Sequence, residues 1–259
     1  MKPRPKLIII AGVTTVVFLF CFSIFIDISR LGEIRALVKT TPRETSLMSE
    51  RADEYRRKKQ RLNARRIIVP LENISMHLRT AILLAEDAEF YRHNGVDYRG
   101  LTRAIRENWR ARSFVYGGST ITQQLAKNLY LSTRKTITRK ISEFIYAKEM
   151  EERLSKKRIL ELYCNSIEWG EGVYGAEAAA QHYYSRSALS LTLEQSIRLA
   201  AIIINPRRFG PDSDAPAVAY RRRVIAAAMF DAGRISEEEF GALPFFSKEG
   251  TTNTDAATP

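Results

Sequence analysis

The stretch GGSTITQQLAKNL, residues 117–129, contains both a helix start and a helical repeat. Two glycines interrupt the preceding segment, and Thr120 opens a T-x-x-Q pattern, the capping box in which two side chains satisfy free amides at a helix start. Ile121, Leu125 and Leu129 follow at intervals of four, which places them on one helix face. The stretch therefore predicts an amphipathic helix that packs against a core.

The same helical periodicity extends over most of the chain after residue 67. The longest run, TITRKISEFIYAKEMEERL at 136–154, has four apolar residues that are expected to point inward, namely Ile137, Ile141, Phe144 and Ile145. Thr192 and Ser236 open two further capping boxes. Few segments alternate with period two, so little β-sheet is expected. The fold class predicted is mainly α.

The N-terminal segment predicts a membrane anchor. Residues 7–26, LIIIAGVTTVVFLFCFSIFI, carry no charge, and their length is about that of a helix crossing a bilayer core. Lys2, Arg4 and Lys6 precede this run, so the positive-inside rule places residues 1–6 in the cytoplasm. No small-x-small cleavage pattern follows. We therefore predict one retained transmembrane signal-anchor, with the remaining chain on the other side of the membrane.

The chain as a whole is strongly basic. There are 41 Lys and Arg residues against 29 Asp and Glu, a net charge of +12. This excess predicts acidic partners, and the anchor favours a membrane surface or a lipid-linked phosphate over nucleic acid. The charged segment 27–66 is interpreted as a solvated linker or as a basic stalk resting on anionic headgroups. Residues 67–245 are then the globular domain, and 246–259 are a polar tail predicted to be disordered.

Acidic residues nevertheless cluster in EDAEFYRHNGVD, residues 86–97. They follow the apolar run AILLA, and a carboxylate at the edge of an apolar segment is costly to ionise. Glu86 is therefore a candidate for proton transfer. His93 is expected to be a structural hydrogen-bonding residue, because the three histidines lack zinc-ligand spacing and no metal site is predicted.

Two later motifs supply charges that complement Glu86. The glycine break before Thr120 opens a helix N-terminus, which favours anions such as phosphate, and Lys127 lies farther along the same helix. The motif RKISE places Arg139 and Glu143 at i,i+4, which alone would be an ordinary surface pair. Together the residues predict two carboxylates beside a phosphate site, which suits chemistry at a sugar anomeric carbon with a phosphate leaving group.

Two other patterns are weaker. GEGVYG at 170–175 fits G-x-G-x-x-G, but a helical pattern precedes it where a dinucleotide site needs a strand. STRK at 132–135 fits S-x-x-K, but no S-D-N or K-T-G follows. Neither pattern supports a nucleotide site or a transpeptidase.

The ordered motifs resemble those of the monofunctional peptidoglycan glycosyltransferases, glycosyltransferase family 51, which are related to the transglycosylase domain of bifunctional penicillin-binding proteins. The similarity covers roughly residues 67–232. The motifs that carry it are EDAEFYRHNG (86–95), GGSTITQQLAKN (117–128), RKISE (139–143) and KRILELYCN (157–165). In the fourth motif, the first lysine of the family falls at Lys156 or Lys157, depending on the alignment.

The resemblance implies a lysozyme-like helical domain that polymerises lipid II with inversion and releases undecaprenyl pyrophosphate, without a transpeptidase domain. Glu86 would be the general base, and Glu143 the second catalytic carboxylate, which organises the pyrophosphate with Lys127 and Arg139. Asp87, Phe90 and His93 would shape the surroundings of the base. The full set of substrate-binding residues implied is Asp87, Phe90, His93, Ser119, Thr120, Gln124, Lys127, Asn128 and Arg139.

The same resemblance implies partners and a location. The partners are lipid II, the growing lipid-linked glycan chain and the cytoplasmic membrane, with room for other cell-wall synthesis proteins and none for nucleic acid. The location is the bacterial cytoplasmic (inner) membrane, single-pass, with the catalytic domain on the periplasmic or outer side. No cofactor is required, although a divalent cation could assist.

Two alternatives stay open at this point. A lytic cell-wall glycosidase on a lysozyme-like fold also needs an acid in an apolar setting, but it has no need of Lys127 and Arg139 converging on an anion. A non-catalytic, membrane-tethered scaffold for wall synthesis would leave the pair Glu86 and Glu143 without a purpose.

Overall fold

The chain folds into helices joined by short loops. The computed structural model describes residues 5–111 and 117–246, with side chains except those of residues 5–11, 103–104 and 107–111. The α-helices in these ranges are α1 (Pro5–Asp27), α2 (Ser46–Arg57), α3 (Met76–Glu86), α4 (Tyr98–Ala111), α5 (Ile121–Tyr130), α6 (Ile137–Arg153), α7 (Lys156–Cys164), α8 (Ala176–Tyr184), α9 (Leu193–Ile202), α10 (Pro216–Asp231) and α11 (Glu237–Gly241). Short 3₁₀ helices are Leu31–Val38, Leu71–Asn73, Ala188–Ser190 and Pro244–Phe246. The mainly α prediction is confirmed.

Helix starts follow the capping predictions. The Thr120 side chain accepts a hydrogen bond from the backbone N–H of Gln123, and the Gln123 side chain accepts one from the backbone N–H of Thr120. The same reciprocal pair forms at Thr192 and at Ser236. Past the end of α10, Gly233 has a φ of 62°, a left-handed conformation that glycine adopts without strain.

The core consists of two groups of helices. In the first group, α5 is central, with Ile121, Leu125 and Leu129 buried and with α2, α6 and α7 packed around it. In the second group, α3 packs against α9 and α10, which also pack against each other. This arrangement brings the C-terminal end of α3 close to α5, so that residues from separate motifs share one cleft.

A small sheet connects the segment before α3 to the region after α7. Its strands are β1 (Arg65–Arg66), β2 (Glu168–Gly170) and β3 (Val173–Tyr174), in the order β1-β3-β2. β1 is parallel to β3, and β2 is antiparallel to β3. The short strands leave the fold predominantly helical.

The structure corrects the interpretation of residues 27–66 as a solvated linker or stalk. Ile34 and Leu37, in the 3₁₀ helix after α1, are fully buried in the core. Arg51 on α2 forms an ion pair of 3.1 Å with Glu168. The few apolar residues of this charged segment are therefore core residues, and some of its charges bind the domain. The average composition of the segment shows neither the buried apolar residues nor the ion pair with the domain.

A second correction concerns α6. Ile137 was expected to point inward but is 75% exposed, and Ile141 and Ile145 are only half-buried. The buried face instead carries residues such as Tyr146 and Met150. The apolar residues of this helix are distributed so widely around it that periodicity alone selected the wrong face.

α1 has the properties of a membrane-spanning helix. By length and composition, it belongs to the one stretch in the described part of the chain that could cross a bilayer, and none of the most apolar window of that stretch is buried against the protein. This is consistent with the predicted single-pass anchor at 7–26. Residues 1–4 and 247–259, which include most of the predicted polar tail, lie outside the described residues.

Candidate active site

Glu86 is the last residue of α3 and has polar partners on both carboxylate oxygens. Arg221 Nη2 donates to Oε1 at 2.6 Å, and Gln124 Nε2 donates to Oε2 at 2.9 Å. The apolar setting predicted for this carboxylate is therefore corrected to a partly buried ion pair. The guanidinium and the amide both donate to this carboxylate, so its two oxygens are held in fixed positions.

Arg221 is a site residue that the sequence analysis missed. It lies on α10, and its Nε donates to the backbone carbonyl of Ala201 at 3.2 Å, which fixes the guanidinium beside Glu86. Arg221 and Glu86 are 135 residues apart in the chain. No local pattern in the run YRRRV distinguishes this arginine from its two neighbours, so only the packing of α10 on α3 identifies it.

A fully buried tyrosine fixes the amide that contacts Glu86. Tyr163 on α7 donates its hydroxyl hydrogen to Gln124 Oε1 at 3.0 Å. This bond sets the amide orientation, so that Nε2 points at the carboxylate of Glu86. Burial raises the pKa of Tyr163 well above its usual value, so the hydroxyl stays a donor. Tyr163 belongs to the fourth motif, which thus supports the first.

Replacing Tyr163 with phenylalanine should lower kcat by about tenfold and leave the KM for substrate nearly unchanged, because a residue with no exposed surface cannot contact the substrate. The loss leaves Gln124 Oε1 without a partner and lets its amide rotate against Glu86. We expect the free energy of unfolding to fall by about 1–3 kcal/mol. Steady-state kinetics and urea unfolding measure the two effects. Tyr91→Phe, at an exposed position of the first motif, is the matched control, and an unchanged kcat in Tyr163→Phe would exclude the positioning role.

Asp87 occupies the helix N-terminus that was expected to attract phosphate. Its Oδ2 accepts a hydrogen bond of 2.9 Å from the backbone N–H of Ile121, the first residue of α5. Asp87 Oδ1 also accepts a hydrogen bond from His93 Nε2, at 2.8 Å. A carboxylate of the protein thus provides the anion at this position. The amide of Ile121, which was predicted to be available for a phosphate, is therefore already bonded within the protein. His93 makes a hydrogen bond within the protein, and its predicted role toward the substrate stays a prediction.

Other residues of the motifs near Glu86 make contacts within the protein. Phe90 is fully buried, and Lys156 Nζ lies 4.4 Å from the centre of its ring, a cation–π contact. Lys156 Nζ also donates to the backbone carbonyl of His93 at 2.6 Å. The Thr120 hydroxyl donates to the carbonyl of Gly95 at 2.6 Å. These residues hold the first motif against α5 and α7, and burial keeps Phe90 from direct contact with a substrate.

Three cations approach one another beyond Glu86, and we call Lys127, Arg139 and Lys140 the cation cluster. Burial lowers the pKa of Lys127, the positive charge of Arg139 lowers it further, and the negative charge of Glu86 opposes this. The Lys127 ammonium group has no hydrogen-bond or ion-pair partner among the described residues. A partly buried ammonium group without a protein partner is available for an anionic ligand.

Glu143 holds two members of the cation cluster. It is buried on α6, forms an ion pair with Arg139, and accepts a hydrogen bond of 2.8 Å from Lys140 Nζ. Lys140 also donates to the Ser119 hydroxyl at 2.9 Å, which connects α6 to the second motif. Lys140 is not among the residues predicted for the site, although it lies inside RKISE. The i,i+4 pair of Arg139 and Glu143 accounts for the charges of this motif without Lys140, so the sequence offers no separate reason to select it.

The cation cluster is electrostatically under-compensated. Burial, together with the positive charges of Arg139 and Lys127, lowers the pKa of Lys140 to about 8. Burial also lowers the pKa of Arg139. Groups that repel one another in this way gain free energy when an anion binds between them.

A cleft of about 410 Å³ opens beside Glu86 and is lined in part by Asp97, Gly118 and Ser119. Ser119 joins this cleft to the cation cluster through Lys140. Asn128 is buried, and its side chain has no hydrogen-bond partner in the part of the chain that the structure describes. No cluster of potential metal ligands is found among the described residues. Glu86 thus lines the cleft directly, and Ser119 connects the same cleft to the positively charged cluster.

Comparisons with known proteins agree with this geometry. A family model described as Transglycosylase matches residues 53–230. A biosynthetic peptidoglycan transglycosylase of Dechloromonas aromatica is 46% identical over 188 residues, which cover 73% of this chain and 81% of the relative. Proteins of the same name from Methylobacillus flagellatus and Nitrosomonas eutropha are 49% and 44% identical, over 62% and 73% of this chain and 70% and 77% of the relatives. The match begins within α2, in agreement with the packing of that helix on the domain.

Proposed function

Because this chain belongs to the transglycosylase family, we propose that it is a peptidoglycan glycosyltransferase, which polymerises lipid II into glycan strands and releases undecaprenyl pyrophosphate. One observation carries the proposal: Gln124 on α5 is hydrogen-bonded to the carboxylate of Glu86, and Lys127 of the cation cluster lies three residues farther along the same helix. A base and a phosphate site at this separation suit transfer of a sugar from a phosphate leaving group.

Glu86 is assigned as the general base. It accepts the proton of the acceptor 4-hydroxyl as that oxygen attacks C1 of the donor sugar. The bond from C1 to the pyrophosphate oxygen breaks at the same time, and its electron pair leaves with the pyrophosphate. Attack on the face opposite the leaving group inverts the anomeric centre. Arg221 and Gln124 hold the carboxylate in place during the proton transfer.

The cation cluster is assigned to the leaving group. Negative charge grows on the pyrophosphate as the bond to C1 breaks, and preorganised cations stabilise that charge without further reorganisation. Glu143 contributes by fixing Arg139 and Lys140 on one side of α6. A lytic glycosidase would need the acid but not this positive charge, so the cluster favours the transferase. The cofactor assignment, none required, stays a prediction.

The membrane arrangement follows from the substrate. Lipid II presents its pyrophosphate at the bilayer surface, so the cleft must open toward the membrane that α1 enters. We assign the chain to the bacterial cytoplasmic membrane with the domain on its outer side, supported by the positive residues that precede the apolar run. External protease should digest the domain in intact spheroplasts, whereas protection until lysis would place it in the cytoplasm and contradict the proposal.

The function is tested by incubating the purified full chain with lipid II in detergent micelles. We expect glycan polymer and undecaprenyl pyrophosphate in equal molar yield per bond formed. Preformed glycan, incubated separately, should stay intact, because a hydrolase would shorten it. If lipid II is not consumed while glycan is cleaved, the chain is a lytic enzyme. If neither changes, the scaffold alternative is correct.

Substrate binding should weaken as the pH rises above about 8. Lys140 has a pKa lowered to about 8 in the free protein, and a bound pyrophosphate would raise it. The protonated form binds, so affinity is highest below pH 8 and falls by up to about tenfold per pH unit above it. Equilibrium binding of lipid II to the Glu86→Gln chain, which separates binding from turnover, measures this at pH 7–9.5. In Lys140→Arg the decline should be smaller, and an equal decline would contradict the assignment.

A further inference from the structure

The C-terminal end of α1 packs against α6, the helix that carries two members of the cation cluster. Ser23 donates to the Thr138 hydroxyl at 3.3 Å, and the Ser142 hydroxyl donates to Asp27 Oδ2 at 3.3 Å. The Tyr146 hydroxyl donates to the backbone carbonyl of Asp27 at 3.0 Å. The first two contacts are four residues apart on both helices, so α1 and α6 run in the same direction over this turn.

This docking fixes the height of the cation cluster relative to the apolar stretch 7–26. Ser23 lies in the last turn of that stretch, and Arg139 follows its partner Thr138 by one residue. With a rise of 1.5 Å per residue, Arg139 lies within about one turn of the hydrocarbon boundary. Ile137, one residue before Thr138, is 75% exposed, which suits a side chain that reaches the apolar layer. A lipid-linked pyrophosphate lies at this boundary.

Asp27 also acts on Arg139 electrostatically. It is the only acidic residue of α1, and its Oδ2 lies 3.3 Å from the Ser142 hydroxyl of α6, whose single hydrogen is shared with the backbone carbonyl of Thr138. Burial lowers the pKa of Arg139, and the negative charge of Asp27 opposes that change. The last residue of the anchor helix therefore stabilises the charged guanidinium that the proposed function assigns to the leaving group.

We propose that Asp27 is a positioning residue for glycosyl transfer: it fixes the anchor helix on α6 and thereby holds Arg139 at the level of the lipid-linked pyrophosphate. The inference rests on the proposed function and extends the active site into the anchor. The helix is then part of the support of the site as well as a tether. Because the contact is within the protein, its effect should persist in detergent micelles, where tethering to a bilayer has no role.

A double-mutant cycle tests whether Asp27 acts through Arg139. In the full chain, we expect Asp27→Ala to lower kcat/KM for lipid II by about tenfold in both micelles and vesicles. In the Arg139→Ala background, the same change should have less than a twofold further effect, because the group it positions is gone. Asp27→Glu should restore most of the activity. If the losses from Asp27→Ala and Arg139→Ala multiply, or if Asp27→Ala matches the parent chain, the proposal is wrong.

One control variant and one replacement variant accompany the double-mutant cycle. Glu33→Gln changes another acidic residue just after α1, one that is paired with Arg30 at the surface, and it should leave kcat/KM unchanged. If Asp27→Ala does not fold, Asp27→Asn takes its place in the cycle. The asparagine keeps an oxygen that accepts from Ser142 while removing the charge. A loss with Asp27→Asn that disappears in the Arg139→Ala background supports the proposal, and a multiplicative loss contradicts it.

A cross-link tests the docking without lipid II. Ser23→Cys with Thr138→Cys, in a chain carrying Cys21→Ser, should form a disulfide in micelles under mild oxidation. Phe25→Cys with Thr138→Cys should not form one, because Phe25 is 66% exposed on another face of α1. If the first pair stays reduced, the docking is wrong. If it cross-links while the parent chain consumes no lipid II, the docking stands and the proposed function fails.

Discussion

Replacing Glu86 with glutamine is expected to lower the rate of lipid II polymerisation by about 10²–10⁴-fold, the range that a general base contributes. Glutamine keeps the size of the side chain and an oxygen for hydrogen bonding, but it cannot accept the proton of the acceptor hydroxyl. The substrate should still bind, because the cation cluster is unchanged. Initial rates with lipid II in micelles measure the loss, and binding of lipid II to the variant measures what is retained.

Glu89→Gln is the matched control for this change. Glu89 lies in the same motif, but its carboxylate is 43% exposed and pairs with Arg92 at the surface. It should polymerise lipid II at close to the parent rate. Circular dichroism and thermal unfolding must show that Glu86→Gln is folded, since the change removes the charged partner of Arg221. Near-normal turnover by a folded Glu86→Gln chain would remove Glu86 from the role of base.

Replacing Lys127 with alanine is expected to lower transfer by about 10²–10³-fold, the cost of removing one preorganised donor from a developing negative charge. The same change should leave the free energy of unfolding unchanged or raise it. The Lys127 side chain has no hydrogen-bond or ion-pair partner among the described residues, and both burial and the positive charge of Arg139 disfavour the charged form of its ammonium group. A substitution that lowers the rate of transfer but not the free energy of unfolding indicates a residue that contacts the ligand. Polymerisation rates and urea unfolding give the two quantities.

The specificity of that loss is tested with Lys148→Ala, an exposed lysine on α6 outside the cation cluster, which should behave like the parent chain. A phosphoglycolipid of the moenomycin class resembles the lipid-linked donor and should bind less tightly to Lys127→Ala and to Arg139→Ala. If either variant binds that inhibitor as tightly as the parent, its assignment to the pyrophosphate is wrong. If Lys148→Ala loses as much activity as Lys127→Ala, the effect is one of overall charge.

Features that depend on neighbouring residues could be predicted from the sequence. The capping boxes at Thr120, Thr192 and Ser236 form as expected, because both partners lie within one helical turn. The apolar stretch of α1 is recognisable from its length and composition. The i,i+4 pair of Arg139 and Glu143 follows from helix geometry. The ordered motifs were enough to indicate the family that the comparisons then showed.

Features that depend on how the helices pack could not be predicted from the sequence. The predictions for the buried face of α6 and for residues 27–66 were wrong. Composition and helical periodicity do not show which apolar residues are covered by another helix. Ile34 is buried and Ile137 is exposed although both lie in mixed, charged segments. The free amides at the start of α5 suggested a phosphate, but a carboxylate from another element, Asp87, had already satisfied Ile121.

The sequence alone thus determined the helical class and the apolar stretch of α1, and it named Glu86 and Glu143 as candidate site carboxylates. These features are local or ordered along the chain. Only the tertiary structure decided what surrounds them. It brings Arg221 to Glu86 across 135 residues, uses Tyr163 to orient Gln124, and sets Asp27 beside α6. The physical reason is that a hydrogen bond or ion pair depends on distance in space, and helices that are far apart in the chain become neighbours only when their apolar faces pack.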